Sequence, residues 1–287
     1  MDVAAHITFY YVESRLCYIN KVLQGLAEIP QNIHVFIYTN KKFDLKYTYP
    51  NMVVEMIHVN FIDLPFIKRA SYKHIPFVIR RYMDPFFLTW ENRRHIERNI
   101  DKYDVQMYLE DDICFTNAAF EYWLNYKEIC NKHDYNIGFL RYEGNNDKIY
   151  CTDLTKTPDK IIYIDGKLFL LNDNNPYCGF WIYDKSELYR FTQSKEWKFK
   201  FKDYGIREKS AIGWNGLKMK RYKGTIIPLQ LIGGDTIAIH NDCKVRHLPN
   251  NYIGHSVFCT VELPIQFKIP DLSIMYDDDP YIDTMTS

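Results

Sequence analysis

Between Ile7 and Tyr38 two short apolar runs flank one amphipathic stretch, and that order leaves the chain few ways to fold. Ile7–Tyr11 reads as a strand. Leu16, Ile19, Leu23 and Leu26 then recur at helical spacing, with Ser14 at the N-cap and Pro30 as the stop. Ile33–Tyr38 is a second, nearly continuous apolar strand ending at Thr39 and Asn40, and Met52–Val59 is a third. Strands joined through a helix run parallel, so the pattern predicts βαβ units and a parallel sheet with crossover helices. Asp84-Pro85 opens a further helix to about Asn99, since proline suits the first helical position. Val105–Leu109 brings the chain back to the sheet.

Beyond that strand the pattern changes. Asn117 opens a helix to about Cys130, and Asn136–Glu143 is strand-like. Lys160–Leu171 folds on Asp165-Gly166, a dipeptide suited to a two-residue hairpin turn. Gly179–Tyr183 is a strand, Ser186–Thr192 a helix, and another helix opens near Ile206, followed by short strands and Asn/Pro-rich loops. No linker or repeat interrupts the 287 residues, so a single domain over 1–287 is expected. It would have a parallel half over about 1–115, a mixed antiparallel half over about 116–270 and an acidic tail over 271–287.

Composition narrows the function classes. A formal net charge of +0 argues against binding nucleic acid through its phosphates. Aromatic residues make up 16%, enough to line pockets for flat or sugar-like ligands as well as to fill a core. Seven cysteines without Cys-x-x-Cys spacing give neither a disulfide framework nor a zinc knuckle. There is no Asn-x-Ser/Thr sequon, no basic and apolar leader, and no apolar run approaching the ~18 residues of a membrane span. The expectation is a cytoplasmic protein without a membrane span.

Val105–Leu109 delivers Glu110, Asp111 and Asp112 into one turn. Three like charges at a strand end repel, so a compact fold tolerates them when they are well solvated or when a cation binds. Ligands of open α/β sheets sit outside the carboxyl ends of the strands, which favours the cation over the solvated turn. Mg²⁺ or Mn²⁺, hard ions with oxygen ligands, commonly come with phosphates. Asp277–Asp279 looks similar but follows no strand and reads as a solvated tail.

A βαβ start, an acidic triplet ending a strand near mid-chain and a mixed C-terminal half together resemble the GT-A glycosyltransferases, with Glu110-Asp111-Asp112 as a variant of their Asp-x-Asp signature. The resemblance implies a Rossmann-like GT-A fold. It further implies metal-dependent transfer of a hexosyl or similar group from a nucleoside diphosphate sugar, UDP favoured, to a glycan or other hydroxyl acceptor, with inversion. Carried over, Asp112 ligates the metal, with His247 on its far side in preference to His240 and His255. Glu110 and Asp111 bind the donor ribose or sugar, or the metal through water. Tyr10, Tyr11, Glu13 and Arg15 hold base and phosphates, Arg15 at a helix N-terminus whose N–H groups also favour an anion. Thr39 and Asn40 touch the base, and Gly179 lets the backbone approach the sugar. Glu208, in a first helical turn, is the base that deprotonates the acceptor, with Asp203 as second choice. Arg93 and Arg94 read as solvated helix arginines. The nearest rival is a sugar nucleotidyltransferase, although 10–15 lacks the glycines of that class. A non-catalytic carbohydrate-binding module is the third reading.

Overall fold

Small residues start the sheet earlier than large ones suggest. In the computed structural model, which describes residues 1–61, 76, 79, 82–145, 147–198, 205–215 and 223–270, the first strand β1 spans Asp2–Phe9. Val3, Ala4 and Ala5 are fully buried in it, whereas Tyr10 and Tyr11 have already left the sheet. Ser14 lies inside a single 3-10 turn, Glu13–Arg15, and not at a cap; the residue at the cap is Val12, which has no side-chain acceptor. Helix α1 (Leu16–Ala27) follows and buries Ile19, Val22, Leu23 and Leu26 along one face. Strands β2 (Asn32–Thr39) and β3 (Met52–His58) pair parallel in the order β1–β2–β3, with Val3 opposite Ile33 and Ile33 opposite Met52.

The helix expected from Asp84 to Asn99 is divided. Asp84 accepts the Phe86 N–H and Pro85 begins a 3-10 helix to Trp90, after which α2 (Asn92–Arg98) is α-helical. The tighter turn buries Phe87, Leu88, Thr89 and Trp90 in succession, which a 3.6-residue repeat would not do. Strand β4 (Val105–Glu110) then pairs parallel with β1 on the side away from β2. The chain passes into the two-residue strand β5 (Ile113–Cys114) and helix α3 (Asn117–Lys132).

Asn136–Glu143 proves to be two strands, β6 (Tyr135–Ile137) and β7 (Leu140–Gly144). The break falls at Gly138, whose N–H donates to Ile226 O and where a Cβ would come within 2.6 Å of the Ile227 side chain. Strand β8 (Ile149–Cys151) pairs antiparallel with β7. Strands β9 (Ile161–Ile164) and β10 (Lys167–Leu171) form the expected hairpin, with both Asp165 (φ 46°) and Gly166 (φ 80°) left-handed as a type I′ turn requires. Strand β11 (Phe180–Asp184) pairs antiparallel with β4, and helices α4 (Lys185–Gln193) and α5 (Ile206–Ala211) follow. Strands β12 (Gly224–Gly233), β13 (Thr236–Ile239), β14 (Lys244–His247), β15 (Val261–Leu263) and β16 (Gln266–Lys268) complete the order.

The fold is mixed α/β. Two compact units share it. The first comprises Met1–Glu121, Tyr177–Trp214 and Val245–Asn251. Its sheet runs β11–β4–β1–β2–β3, four parallel strands with one antiparallel edge. Under that sheet His6 is fully buried, its ring nitrogens 3.1 Å from Tyr38 Oη and 2.9 Å from Gln106 Oε1. The second unit comprises Tyr122–Pro176, Asn215–Lys244 and the chain from Tyr252. It carries the antiparallel sheet β16–β13–β12–β10–β9, which β6 joins in parallel, while β8 pairs with both β7 and β15. Among the described residues no helix is long and apolar enough to cross a membrane.

Candidate functional site

Strand β4 is buried from Val105 to Leu109 and emerges only at Glu110, so the sheet carries the three carboxylates to its edge. They lie at a switch point: the chain goes from β1 to β2 on one side, and β4 stands on the other. Immediately after the triplet, β5 pairs antiparallel with β14, placing Ile113 opposite His247, and Leu248 N–H donates to Asp112 O. This pairing brings a residue distant in sequence to the acids. His247 is buried, with Nε2 3.5 Å from Asp112 Oδ2.

The cation already on the carboxylates is Arg15. Its Nε and Nη2 lie 2.8 and 2.9 Å from the two oxygens of Asp111, and Nη2 also reaches Asp112 Oδ2 at 2.8 Å. The 3-10 turn ahead of α1 presents the guanidinium this way. Burial works against charge at Asp112, but the His247 hydrogen bond and Arg15 outweigh it and hold that carboxyl below its ordinary range. Asp111 is pushed upward, by burial first and by Asp112 beside it, against the pull of Arg15. Asp112 Oδ1 is buried and has no hydrogen-bond partner among the described residues.

Glu110 Oε2 accepts the Tyr177 hydroxyl at 3.0 Å. Gly179 is a necessity there. Its φ is +74°, and a Cβ would sit 2.9 Å from Ile113 side-chain carbons and 3.0 Å from Glu110 Oε2. Beside the acids opens a cavity of about 390 Å³, whose lining includes Tyr10, Arg15, Phe86, Tyr108, the triplet and Arg207.

The structure thus gathers Tyr10, Arg15, Glu110, Asp111 and Asp112 round one cavity, with His247 and Gly179 behind the acids. Five other sequence candidates, Tyr11, Glu13, Thr39, Asn40 and Glu208, lie off the lining. Asn40 Oδ1 accepts the Tyr11 N–H, Thr39 Oγ1 donates to Lys41 O, and Glu13 belongs to the 3-10 turn. Glu208 folds its carboxylate back against Gly205, the N-cap residue of its own helix. Asp203 and Asp277–Asp279 fall outside the described residues. His240 caps Asp242 N–H and His255 is exposed. Arg93, read as solvated, is instead buried, its guanidinium 4.0 Å from the Trp197 ring centre, while Arg94 is exposed. Sequence reasoning missed Phe86, Tyr108 and Arg207. The first two look like core aromatics, and the only signal for Arg207 was its place beside Glu208 at the start of a helix.

Among the described residues no group of three or more His, Cys, Asp or Glu side chains is arranged to hold a metal ion. Asp112, whose Oδ1 has no partner among the described residues and whose Oδ2 lies 3.5 Å from His247 Nε2, would suit one kind of cation. That is an ion held through one or two carboxylates which completes its shell with water and phosphate oxygens, as Mg²⁺ does.

No protein-family model and no curated protein matches the sequence. Among solved structures, the chain is similar to S. aureus TarS 1–349 at a TM-score of 0.38 and 10% identity, over 78% of this chain and 58% of that one. The same fragment in complex with UDP-GlcNAc gives a TM-score of 0.33 and 12% identity, over 66% of this chain and 47% of that one. The galactosyltransferase LgtC, in complex with donor and acceptor sugar analogues, gives 0.31 and 13%, over 73% and 69%. The chain therefore spans about half the length of the TarS fragment, and the likeness is one of partial chain path.

Proposed function

We propose that the first unit holds the donor of a glycosyltransferase, which moves a hexosyl or similar group from a nucleoside diphosphate sugar, UDP favoured, to an acceptor hydroxyl. One observation carries this reading: a three-carboxylate turn at the end of a parallel strand, beside the switch point of the sheet, opening onto a cavity that also holds two guanidinium groups. Tyr10 offers a half-exposed aromatic face at the cavity for the base or sugar, and Glu110, which accepts the Tyr177 hydroxyl, would accept a sugar or ribose hydroxyl. Asp112, with His247, would hold Mn²⁺ or Mg²⁺, which supplies charge neutralisation for the departing diphosphate.

The reaction is a single inverting displacement. The acceptor oxygen bonds to the anomeric carbon as the bond from that carbon to the diphosphate oxygen breaks, and the electron pair leaves with the diphosphate. Glu208, next in sequence to the cavity residue Arg207, would take the acceptor proton.

Release of nucleoside diphosphate from a panel of nucleotide sugars tests the reading. Asp112→Asn is expected to abolish release, and Glu208→Gln to lower kcat at least about 100-fold with donor binding intact. Full activity in the Asp112 variant sinks the site. Release of inorganic pyrophosphate from a nucleoside triphosphate and a sugar phosphate would show a nucleotidyltransferase, and binding without turnover a carbohydrate-binding module.

A further inference from the structure

Arg15, the arginine that the sequence offers for phosphates, is committed to Asp111 and Asp112. The other guanidinium in the cavity lining is Arg207, which is exposed, and no carboxylate pairs with it among the described residues. Its Cζ lies 4.7 Å from the centre of the Phe86 ring, a stacking that fixes the plane of the fork while leaving its N–H edges open.

The helix that presents Arg207 is held from outside itself. Six residues with no side-chain cap have little intrinsic helical stability. Two backbone carbonyls of α5 are instead anchored by aromatic N–H groups: Trp90 Nε1 donates to Ile206 O at 2.8 Å and Trp181 Nε1 to Ser210 O at 3.0 Å. Arg93 Nη2 adds a third bond to Ser210 O at 3.2 Å, from within a nest of Trp90, Trp181, Phe191 and Trp197 rings. The site thus contains a pre-positioned planar cation facing a cavity whose other charges are three acids and a spent arginine. An anion entering beside those acids needs such a group to offset their repulsion.

We propose that Arg207 is the anion-binding residue of this cavity, receiving a diphosphate group on its open N–H edge with Phe86 at its back, and that it does so without a divalent cation. The identification of that anion as part of a nucleotide sugar rests on the donor-site reading above, whereas recognition of the diphosphate itself does not.

The test is calorimetric titration of inorganic pyrophosphate into the full chain in excess EDTA. The wild type is expected to bind, and Arg207→Met, which keeps an apolar stem against Phe86, to bind at least about tenfold more weakly. Arg207→Lys should fall between them, because an ammonium neither stacks nor forks. Because Arg207 is exposed, all three proteins should melt at the same temperature. Equal affinity in wild type and Arg207→Met overturns the proposal, as does a wild type that binds no pyrophosphate under EDTA. Arg207-dependent binding in a protein that turns over no nucleotide sugar leaves the proposal standing and removes the glycosyltransferase reading. Turnover accompanied by unchanged pyrophosphate binding in Arg207→Met does the reverse.

Discussion

Taking away the Arg15 guanidinium leaves Asp111 and Asp112 face to face, with burial acting against both charges. Arg15→Gln should therefore destabilise the fold by about 2 kcal/mol, below the usual cost of breaking a buried pair because the Arg15 side chain is 33% exposed. Urea unfolding measures this, and Mn²⁺ should raise the midpoint of the variant more than that of the wild type. Gly179→Ala is expected to cost about 1–2 kcal/mol through its left-handed backbone and to weaken donor binding by displacing Glu110. Unchanged binding in that variant would remove Glu110 from the donor contacts. The triplet stood out in the sequence because three adjacent acids at a strand end repel one another, and that is a local signal. The engagement of Arg15 did not, since it follows from a 3-10 turn where a Ser14 cap was expected. Arg207 was equally hidden, an arginine on a helix like many that do nothing.

At the scale of elements, the parallel pairing and the Asp165-Gly166 hairpin could be read directly, because apolar periodicity and turn chemistry are local. The divisions within 84–99 and 136–143 could not. The first depends on burying four consecutive residues, the second on the close approach of Gly138 to β12. The anchoring of α5 lies further still from sequence, as Trp90 meets Ile206 across a separation of 116 residues. Trp90→Phe deletes that N–H while keeping most of the ring. It should cost about 1 kcal/mol and speed hydrogen exchange at the α5 amides more than elsewhere in the first unit. Exchange raised uniformly, or not at all, would mean that α5 is held by packing alone.

For the molecule as a whole, the buried His6 sets a pH limit. Burial lowers its pKa from 6.5 to about 3, with the nearby His95 and His34 acting the same way and only the Gln106 bond opposing. The unfolded chain thus takes up this proton below about pH 6.5, while the folded one resists it until about pH 3. The stability due to neutral His6 is complete above the higher value and is lost progressively as pH falls towards the lower. Between pH 7 and pH 5 the loss should be about 2 kcal/mol, read from urea midpoints, with a shallower pH slope in His6→Gln. Equal slopes would place the acid sensitivity elsewhere. The first unit has one more property, since its chain leaves at Glu121 and returns at Tyr177. During synthesis β4 can pair with β1 early, but its other edge waits for β11, where Phe180 meets Leu109. At ~5–20 residues per second that wait is roughly 4–15 seconds, through which an apolar strand edge stands open on the ribosome. The strand that carries the acids thus gains its second neighbour only when translation has passed from Asp111 to Asp184, and a chaperone that shields open strand edges would act on this sheet in that interval.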